Sequence, residues 1–381
     1  MFETGEEMRG LMRRRPGLYL GGADGFALHS LAEVVLRSGA VAARERGTRE
    51  VSLRMGADGS CTAVFDGWSC PAGVEAMPEE VEGWLSLTSY DPRGTRPEGV
   101  ARGLVLPTCY DDLAMVSVFS SSLDVRVWGQ GRAWGQRFRE GIPQGGMRPE
   151  VLDVPASDSG LRLVFTPDAS LFAEPPREVS EEVIRRMREL AALVPGVLWR
   201  FHDARSGREE RILREQGLAD LCRESTASSG PLHEPWSFEG LSGTTLFRLA
   251  MQWCERPGEG SACWGNLQRC SHRDIPREGL RRGLHEAVSA RRAALGYRQV
   301  KLPFSKSALA TGLTAVMELV VPVPIWHRHT HDRLETPEVE SAVAGLVAKW
   351  VEEALARSPE LEARLLPLAA VRAPSMRASR R

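Results

Sequence analysis

The stretch Arg15-Pro16-Gly17-Leu18-Tyr19-Leu20-Gly21 separates two segments whose residue patterns predict helices. The first predicted helix covers residues 8–15 and ends at the Pro-Gly pair, because proline cannot continue a helix and glycine favours turns. The second covers residues 26–44, where apolar side chains recur at helical spacing and form one stripe facing a core. The fold prediction rests on this order of helix, turn and amphipathic helix.

Strand signals follow the second predicted helix. Residues 51–55 and 61–65 flank a turn at Ala57-Asp58-Gly59 and predict a β-hairpin. The Pro-, Gly- and Asp-rich residues 86–112 predict a long loop before a buried helix over residues 113–121. Ser180 is expected to cap a helix over residues 180–193. Three further strands are predicted at residues 123–128, 133–140 and 161–166.

A Ser/Gly/Pro-rich stretch at residues 223–235 is the clearest boundary candidate, and a helix over residues 217–223 leads into it. Beyond it, apolar runs predict strands, and longer amphipathic runs predict helices. The strands are expected at residues 244–253, 262–267 and 313–323, and the helices at residues 279–295 and 337–356. The last residues, 372–381, form a short basic tail.

The chain has 381 residues, 42% of them hydrophobic and 26% charged, which is typical of globular proteins and leaves room for two domains. The formal net charge is −1, so the whole molecule lacks the positive field of a nucleic-acid binder. No apolar run is long enough to span a bilayer, and the first residues do not resemble a signal peptide. We therefore expect a cytoplasmic protein without a membrane partner.

Seven cysteines are present, an odd number without any CxxC spacing. This pattern argues against a disulfide framework and against a zinc knuckle. The cysteines are Cys61, Cys70, Cys109, Cys222, Cys254, Cys263 and Cys270.

The order of these motifs resembles the gyrase B branch of the GHKL ATPases. The Arg15–Gly21 stretch is similar to that branch's opening motif. In the second half, Gly312-Leu313-Thr314-Ala315-Val316 precedes Val321-Pro322-Val323-Pro324 and then Asp332-Arg333-Leu334, similar to the family's closing strand, loop and helix. The resemblance covers residues 8–372 in continuous order, which makes it more specific than any single motif.

The resemblance implies an α+β chain. A GHKL-type α/β sandwich, the Bergerat-like ATPase domain, is expected over residues 1–213. A ribosomal-protein-like βαβ transducer domain is expected over residues 214–372, followed by the basic tail at 373–381. Family members bind ATP and Mg²⁺ under a glycine-rich lid, and two ATP-bound copies close as a dimeric gate for DNA.

The resemblance implies that Glu33 and His29 correspond to two catalytic residues of the family. Glu33 falls at the family's general base, and His29 falls at its orienting partner. Their i, i+4 spacing places both side chains on one helix face, so the imidazole can hold the carboxylate toward a water. Spacing alone favours a surface His/Glu pair, whereas the position in the motif order favours an ancestral base that has lost its function.

Several nucleotide contacts of the family are replaced. Arg37 stands at the asparagine that binds magnesium, and a guanidinium cannot ligate a cation. The family's Asp-x-Gly-x-Gly motif corresponds to Phe65-Asp66-Gly67-Trp68-Ser69, followed by Pro71, so the adenine-binding aspartate is Phe65. Asp66 could replace it only if the strand turned over, because alternate residues face opposite sides.

The lid and the phosphate contact differ too. Residues 106–112 hold no glycine, and Thr108 with Asp111 fits a capping box that would satisfy the helix's own N–H groups. Asp111 and Asp112 would repel phosphates, each by about 4 kcal/mol at about 4 Å. The family's Gln-Thr-Lys is His329-Thr330-His331, which removes a fixed positive charge. His327, His329 and His331 alternate along the chain, a pattern that also fits a metal-binding strand. Random replacement of the family's glutamine and lysine is the favoured interpretation, so no metal is expected. Because the nucleotide contacts are replaced, no cofactor is expected either.

The amino-terminal arm that family members exchange is longer than the residues before Met8, so we expect weaker ATP-driven dimerisation. No Glu-Gly-Asp or Asp-x-Asp cluster follows the transducer, so the chain is expected to lack DNA cleavage.

Three functions remain open. The favoured one is a pseudo-ATPase scaffold that binds a topoisomerase subunit, another protein or a second copy of itself. The second is a working ATPase of a type II topoisomerase. The third is a weak DNA-binding module that uses the arginines around one predicted helix. These arginines are Arg273, Arg277, Arg281, Arg282, Arg291 and Arg292.

Overall fold

The structure is a computed structural model that describes residues 5–20, 27–70, 73–85, 111–151, 154–155, 158–172, 179–256, 261–270, 275–299, 301–327 and 333–373. The chain divides into two compact units, residues 1–217 and 218–381. Both units combine helices with a β-sheet, so the α+β class predicted from the sequence is confirmed. The stretch at residues 223–235, a boundary candidate in the sequence, lies inside the second unit.

The first unit contains six described α-helices and nine described strands. The helices are α1 (Gly5–Arg14), α2 (Pro16–Leu20), α3 (Ala27–Arg46), α4 (Met77–Leu85), α5 (Asp111–Val118) and α6 (Ser180–Leu193). The strands are β1 (Glu50–Met55), β2 (Cys61–Asp66), β3 (Ser120–Gly129), β4 (Arg132–Arg139), β5 (Ile142–Pro143), β6 (Arg148–Glu150), β7 (Gly160–Pro167), β8 (Leu198–Asp203) and β9 (Arg208–Leu213).

These strands form one sheet in the order β5-β4-β3-β7-β2-β1-β8-β9, and β6 also pairs with β4. All described pairs are antiparallel except β1 with β8. Burial alternates along β1 and β2, because successive side chains point to opposite faces of a strand. The buried face packs against α3, α5 and α6, so the unit is a two-layer sandwich.

Helix α3 lies close to the sheet because of Gly39. A Cβ atom at this position would be 2.8 Å from a methyl carbon of Val51 and 3.1 Å from the Phe65 ring. Any larger residue would push α3 away from β1 and β2. The candidate site lies along this helix and the strands under it.

Several predicted helix boundaries need correction. Pro16 and Gly17, expected to form a turn, are the first two residues of α2, because proline is tolerated in the first turn of a helix. The helix predicted to start at residue 279 begins at Ile275. Helix α5 begins at Asp111, two residues before the predicted start, and ends at Val118, where β3 soon follows. Ser180 is the first residue of α6 and does not cap it; the N-cap is Val179, which forms no side-chain cap bond. The Ser180 hydroxyl instead donates to Asp203 Oδ2 at 2.9 Å, and this bond links α6 to the end of β8.

The second unit holds a five-stranded sheet in the order β10-β11-β14-β12-β13. Its strands are β10 (Trp236–Ser242), β11 (Thr245–Trp253), β12 (Ala262–Gly265), β13 (Gln268–Arg269) and β14 (Leu313–Val320). Its helices are α7 (Leu218–Thr226), α8 (Ile275–Ala294), α9 (Ala308–Thr311), α10 (Glu338–Ala356) and α11 (Pro359–Leu365). Strands β12 and β14 are parallel, and α8 lies in the connection between them, which makes a βαβ arrangement.

Helices α8 and α10 pack together through two glycines of α8. A Cβ atom on Gly279 would lie 2.6 Å from the carbonyl oxygen of Glu340, and one on Gly283 would lie 2.5 Å from that of Ala344. The missing side chains let the two backbones approach closely. Their shared face joins the buried core of the sheet through residues such as Leu284 and Val347.

Within the described ranges, none of the helices combines the length and apolar character needed to cross a bilayer.

Candidate functional site

His29 and Glu33 lie one turn apart on α3, as the i, i+4 spacing predicted. His29 Nε2 is 3.8 Å from Glu33 Oε2, and the two side chains are 17% and 28% exposed. The Nδ1 atom of His29 is buried and forms no hydrogen bond to a described residue. The imidazole therefore contacts the carboxylate from one side, in a position to orient it.

The sequence interpretation missed Arg186 of α6, which approaches Glu33 from the other side. Its Nε lies 3.3 Å from Glu33 Oε1, and its side chain is only 4% exposed. Its Nη1 donates to Glu189 Oε2 at 3.0 Å, so one buried guanidinium connects two carboxylates. An arginine that faces α3 across a helix interface has no local sequence signal, because the partner lies about 150 residues away along the chain.

These charges act against burial on the Glu33 carboxyl. Burial alone would raise its pKa, but the guanidinium of Arg186, then Arg37 and His29, lower it, and the net pKa lies below the ordinary value. The charged form of Glu33 is thus stabilised. A carboxylate with a lowered pKa is a weaker general base than one with a raised pKa.

The same environment lowers the pKa of His29. Burial is the main cause, and it outweighs the opposing effect of the Glu33 carboxylate; Arg185 and Arg186 add to the lowering. His29 is therefore neutral at pH 7. At 3.8 Å its Nε2 lies beyond hydrogen-bond distance of Glu33 Oε2, so the neutral imidazole is a neighbour of the carboxylate and not its hydrogen-bond donor.

Phe65 and Asp66 occupy opposite faces of β2. Phe65 is 1% exposed and lies among the largest fully buried side chains, against Val51 and Gly39. Asp66 is exposed on the other face, and its carbonyl accepts from Arg49 N at 2.8 Å. An aromatic ring thus fills the place that the resemblance gives to an adenine-binding carboxylate, and Asp66 cannot reach it.

The residues after β2 form a tight turn. Gly67 has φ +80°, a backbone conformation that favours glycine, and its N–H donates to Ser159 O at 2.8 Å. Trp68 is 1% exposed, and Ser69 donates to the carbonyl of Arg46 through Oγ at 2.9 Å. The turn is bound to the end of α3. Pro71 lies outside the described residues.

Asp111 and Asp112 are the first two residues of α5, but their side chains, like residues 106–110 with Thr108, lie outside the described part. His329 and His331 also lie outside it.

The described residues 325–327 and 333–335 are paired by backbone hydrogen bonds. His327 N donates to Arg333 O at 2.8 Å, and Glu335 N donates to Ile325 O at 2.7 Å. His327 Nδ1 is 3.1 Å from Glu335 Oε1, which gives this histidine a carboxylate partner.

Among the residues that the structure describes, histidine, cysteine and acidic side chains form no group of three that could hold a metal ion.

The arginines proposed as a DNA-binding face lie on α8, apart from Arg273, which is outside the described residues. Arg277 and Arg292 are each 8% exposed, so neither presents its charge to solvent. Arg277 Nη1 donates to Ser261 O at 2.6 Å. Arg292 donates to Leu366 O at 2.6 Å and to Arg298 O at 2.9 Å. Both arginines hold the second unit together.

The other three arginines of α8 form ion pairs. Arg281 Nη1 lies 3.1 Å from Glu278, and Arg282 Nη1 lies 2.9 Å from Glu340 of α10. Arg291 binds both carboxylate oxygens of Glu362, at 2.5 and 3.1 Å. These carboxylates largely neutralise the expected basic face. The sequence shows the arginines of one helix but not which carboxylates the fold places beside them.

Comparisons with known proteins agree with this architecture. A family model described as DNA gyrase B matches residues 217–381. The DNA gyrase B protein of Archaeoglobus fulgidus is 28% identical over 92% of this chain and 55% of the relative. The DNA gyrase B protein of a Synechocystis strain is 26% identical over 91% of this chain and 32% of the relative. The chain thus spans about half or less of these relatives' length.

Solved structures show the same arrangement. The crystal structure of the gyrase B protein from Myxococcus xanthus superposes with a TM-score of 0.78 at 26% identity, covering 95% of this chain and 99% of that one. The 43K ATPase domain of Thermus thermophilus gyrase B, in complex with an aminocoumarin, gives a TM-score of 0.76 at 22% identity, covering 95% and 93%. This second likeness is one of fold. The chain is therefore similar to DNA gyrase B proteins over most of its length, and it has the mixed α+β fold of the gyrase B ATPase region.

Proposed function

We propose that this chain is a gyrase-B-like protein, with an ATPase-type first unit and a transducer as its second, whose nucleotide site does not bind ATP and which acts as a binding or regulatory scaffold. The observation that carries the proposal is Phe65. Its buried ring, packed on Gly39 and Val51, stands where the family places the carboxylate that accepts the adenine amino hydrogen. Asp66 points to the opposite face of the sheet from Phe65. It could replace that acceptor only if β2 shifted by one residue relative to β1 and β7.

The free energies favour loss of binding. A charge-assisted hydrogen bond such as the one to adenine is worth about 1.5–3 kcal/mol. Further contacts of the family, those to magnesium and to phosphate, are also replaced in this sequence. The replacing residues are Arg37, Asp111, Asp112 and His331. Micromolar to millimolar binding corresponds to about 4–8 kcal/mol in total. Losing several contacts therefore removes most of the affinity, even when their contributions are not additive.

The partner of such a scaffold is proposed from the family. The relatives are named as subunits of DNA gyrase and of DNA topoisomerase 4. We propose that the chain binds another protein of this kind or a second copy of itself, independently of nucleotide.

Thermal unfolding in the presence of ATP and magnesium tests the proposal. A ligand with a Kd of about 100 µM, supplied at about 5 mM, stabilises the folded state by about 2.3 kcal/mol and raises the Tm by about 5 °C or more. We expect a shift below about 1 °C. A gyrase B relative, treated in parallel, serves as the positive control; a shift like that of the relative would rule the scaffold out.

The alternative is a working ATPase of a type II topoisomerase, and one observation favours it. His29, Glu33 and Arg186 form a connected set in which the carboxylate is charged and held from two sides. In that case ATP hydrolysis is detectable and Glu33→Gln abolishes it, while Glu45→Gln near the other end of α3 leaves it intact. Hydrolysis that persists in Glu33→Gln belongs to a contaminant.

A further inference from the structure

The segment between α7 and β10 is bound to the end of β11 by backbone hydrogen bonds. Leu232 N donates to Trp253 O at 2.8 Å, Glu255 N to Gly230 O at 2.9 Å, and Arg256 N to the Ser229 carbonyl at 3.0 Å. The segment thus extends the edge of β11 beyond its last ladder pair. Its hold on the sheet ends at His233, three residues before β10 begins.

Both nitrogens of the His233 ring are committed to backbone groups. The Trp253 N–H donates to Nε2 at 3.0 Å, and Nδ1 is 2.6 Å from the carbonyl oxygen of Glu234. An N–H group can only donate, so Nε2 must be unprotonated, and a carbonyl can only accept, so Nδ1 must carry the hydrogen. These bonds therefore require one neutral tautomer. The His233 carbonyl also accepts from Gln252 Nε2, which fixes the residue's backbone.

Aromatic packing holds the ring in place. The imidazole packs against Trp236, at 4.8 Å between ring centroids, and against Trp253, at 5.8 Å, and the two indoles contact each other edge-on at 5.5 Å. Burial against these rings lowers the pKa of His233 below its ordinary value of 6.5, and the carbonyl and carboxylate of Glu234 oppose this only in part.

The ionisable side chains near His233 do not stabilise its protonated form enough to compensate for burial. The Glu234 carboxylate is 84% exposed and lies 3.3 Å from Arg223 of α7. Arg223 also pairs with Asp220 at 3.0 Å. Cys254, which follows Trp253, is a buried thiol whose pKa is raised by burial, so it carries no charge at neutral pH.

We propose that His233 is a proton-sensitive clasp, which holds residues 229–236 on β11 when neutral and releases them when protonated. A proton added at Nε2 places an N–H⁺ against the N–H of Trp253, so the bond between them is replaced by repulsion. The released segment links α7 to the first strand of the sheet. This inference is independent of whether the nucleotide site binds ATP.

The direction of the pH effect follows from linkage. The folded-state pKa is lowered, so the open segment binds a proton more readily than the closed one. The clasp contributes its full stability above pH 6.5, and this stability is lost as the pH falls from 6.5 through the lowered pKa. Loss of the hydrogen bond from the Trp253 N–H to the imidazole corresponds to an increase of about two- to tenfold in local opening.

Amide hydrogen exchange of the full chain, corrected for intrinsic rates, tests the clasp at about pH 7.5 and about pH 5. Protection of residues 229–236 and 253–256 should fall about two- to tenfold at the lower pH. In His233→Gln, whose side-chain carbonyl can accept from Trp253 N–H but does not titrate, this pH dependence should disappear. The matched control is His202→Gln in the first unit, where a half-exposed histidine lies 3.6 Å from Glu209; it should keep the wild-type dependence.

The pH titration of the wild-type imidazole gives a second measurement that needs no variant to fold. An NMR pKa below 6.5 for His233 supports the clasp. A pKa of 6.5 or above, or equal protection of residues 229–236 at both pH values, would overturn it.

Discussion

At the scale of single residues, Phe65 and Asp66 are neighbours on β2 with opposite environments. Phe65 is 1% exposed beneath α3, whereas Asp66 is solvent-exposed on the other face of the sheet. The position that the resemblance to gyrase B assigns to adenine binding is here part of the hydrophobic core. The two residues therefore allow a direct comparison of core and surface roles.

Phe65→Ala should destabilise the first unit by about 3–5 kcal/mol, because it removes a buried ring and leaves a cavity against Gly39 and Val51. Asp66→Ala, the matched control on the next residue, should change the free energy of unfolding by less than about 0.5 kcal/mol. Urea unfolding followed by circular dichroism measures both. A small cost for Phe65→Ala would mean that the ring is not tightly packed in the core.

The pair His29 and Glu33 makes a second prediction at this scale. His29 should titrate below 6.5, because burial disfavours its charged form. Glu33→Gln should lower this pKa further, since the carboxylate is the main group that raises it. Two-dimensional NMR of the imidazole resonances measures both values. An unchanged or higher pKa in Glu33→Gln would show that the two side chains do not interact.

At the scale of elements, the contact of α8 with α10 depends on glycine. Gly283→Ala would place a Cβ atom 2.5 Å from the carbonyl oxygen of Ala344, so α8 must shift. We expect a loss of about 1–3 kcal/mol. Gly345→Ala on α10 is the control, because open space surrounds it and alanine favours helix by about 0.5–1 kcal/mol. Equal effects in the two unfolding curves would contradict the packing described for α8.

Most elements of the fold could be predicted from local patterns. The β1–β2 hairpin, the helix over residues 180–193 and the strand starting at Leu313 match the structure closely, because each has a clear period and turn residues at its ends. Strands β8 and β10 were missed, although residues 198–203 alternate between apolar and polar side chains. Both begin hairpins with the next strand along the chain, β8 with β9 and β10 with β11, so the missed signals were local ones.

The candidate site was less predictable than the fold. His29 and Glu33 follow from helical spacing and motif order, and strand alternation correctly placed Phe65 and Asp66 on opposite faces. Arg186 does not follow from either, because its contact with Glu33 depends on how α6 crosses α3. The same limit applies to the arginines of α8, whose glutamate partners come partly from α10 and α11.

At the scale of the whole molecule, a net charge of −1 and paired arginines argue against strong DNA binding. Replacing both Arg281 and Arg282 with alanine should therefore change duplex DNA retention by less than about twofold. If the two side chains did neutralise phosphates, the slope of log K against log salt would fall by about 1.8 in this variant. Retention measured at several salt concentrations distinguishes the two outcomes.

Isothermal titration of the full chain with ATP and magnesium tests the central claim, that a gyrase B fold is retained here without its nucleotide. We propose that Phe65 fills the adenine position and that the phosphate and magnesium contacts are replaced, which predicts no measurable heat of binding at ATP concentrations up to about 5 mM. A dissociation constant below about 100 µM, equivalent to a binding free energy of about −5.5 kcal/mol, would contradict the account.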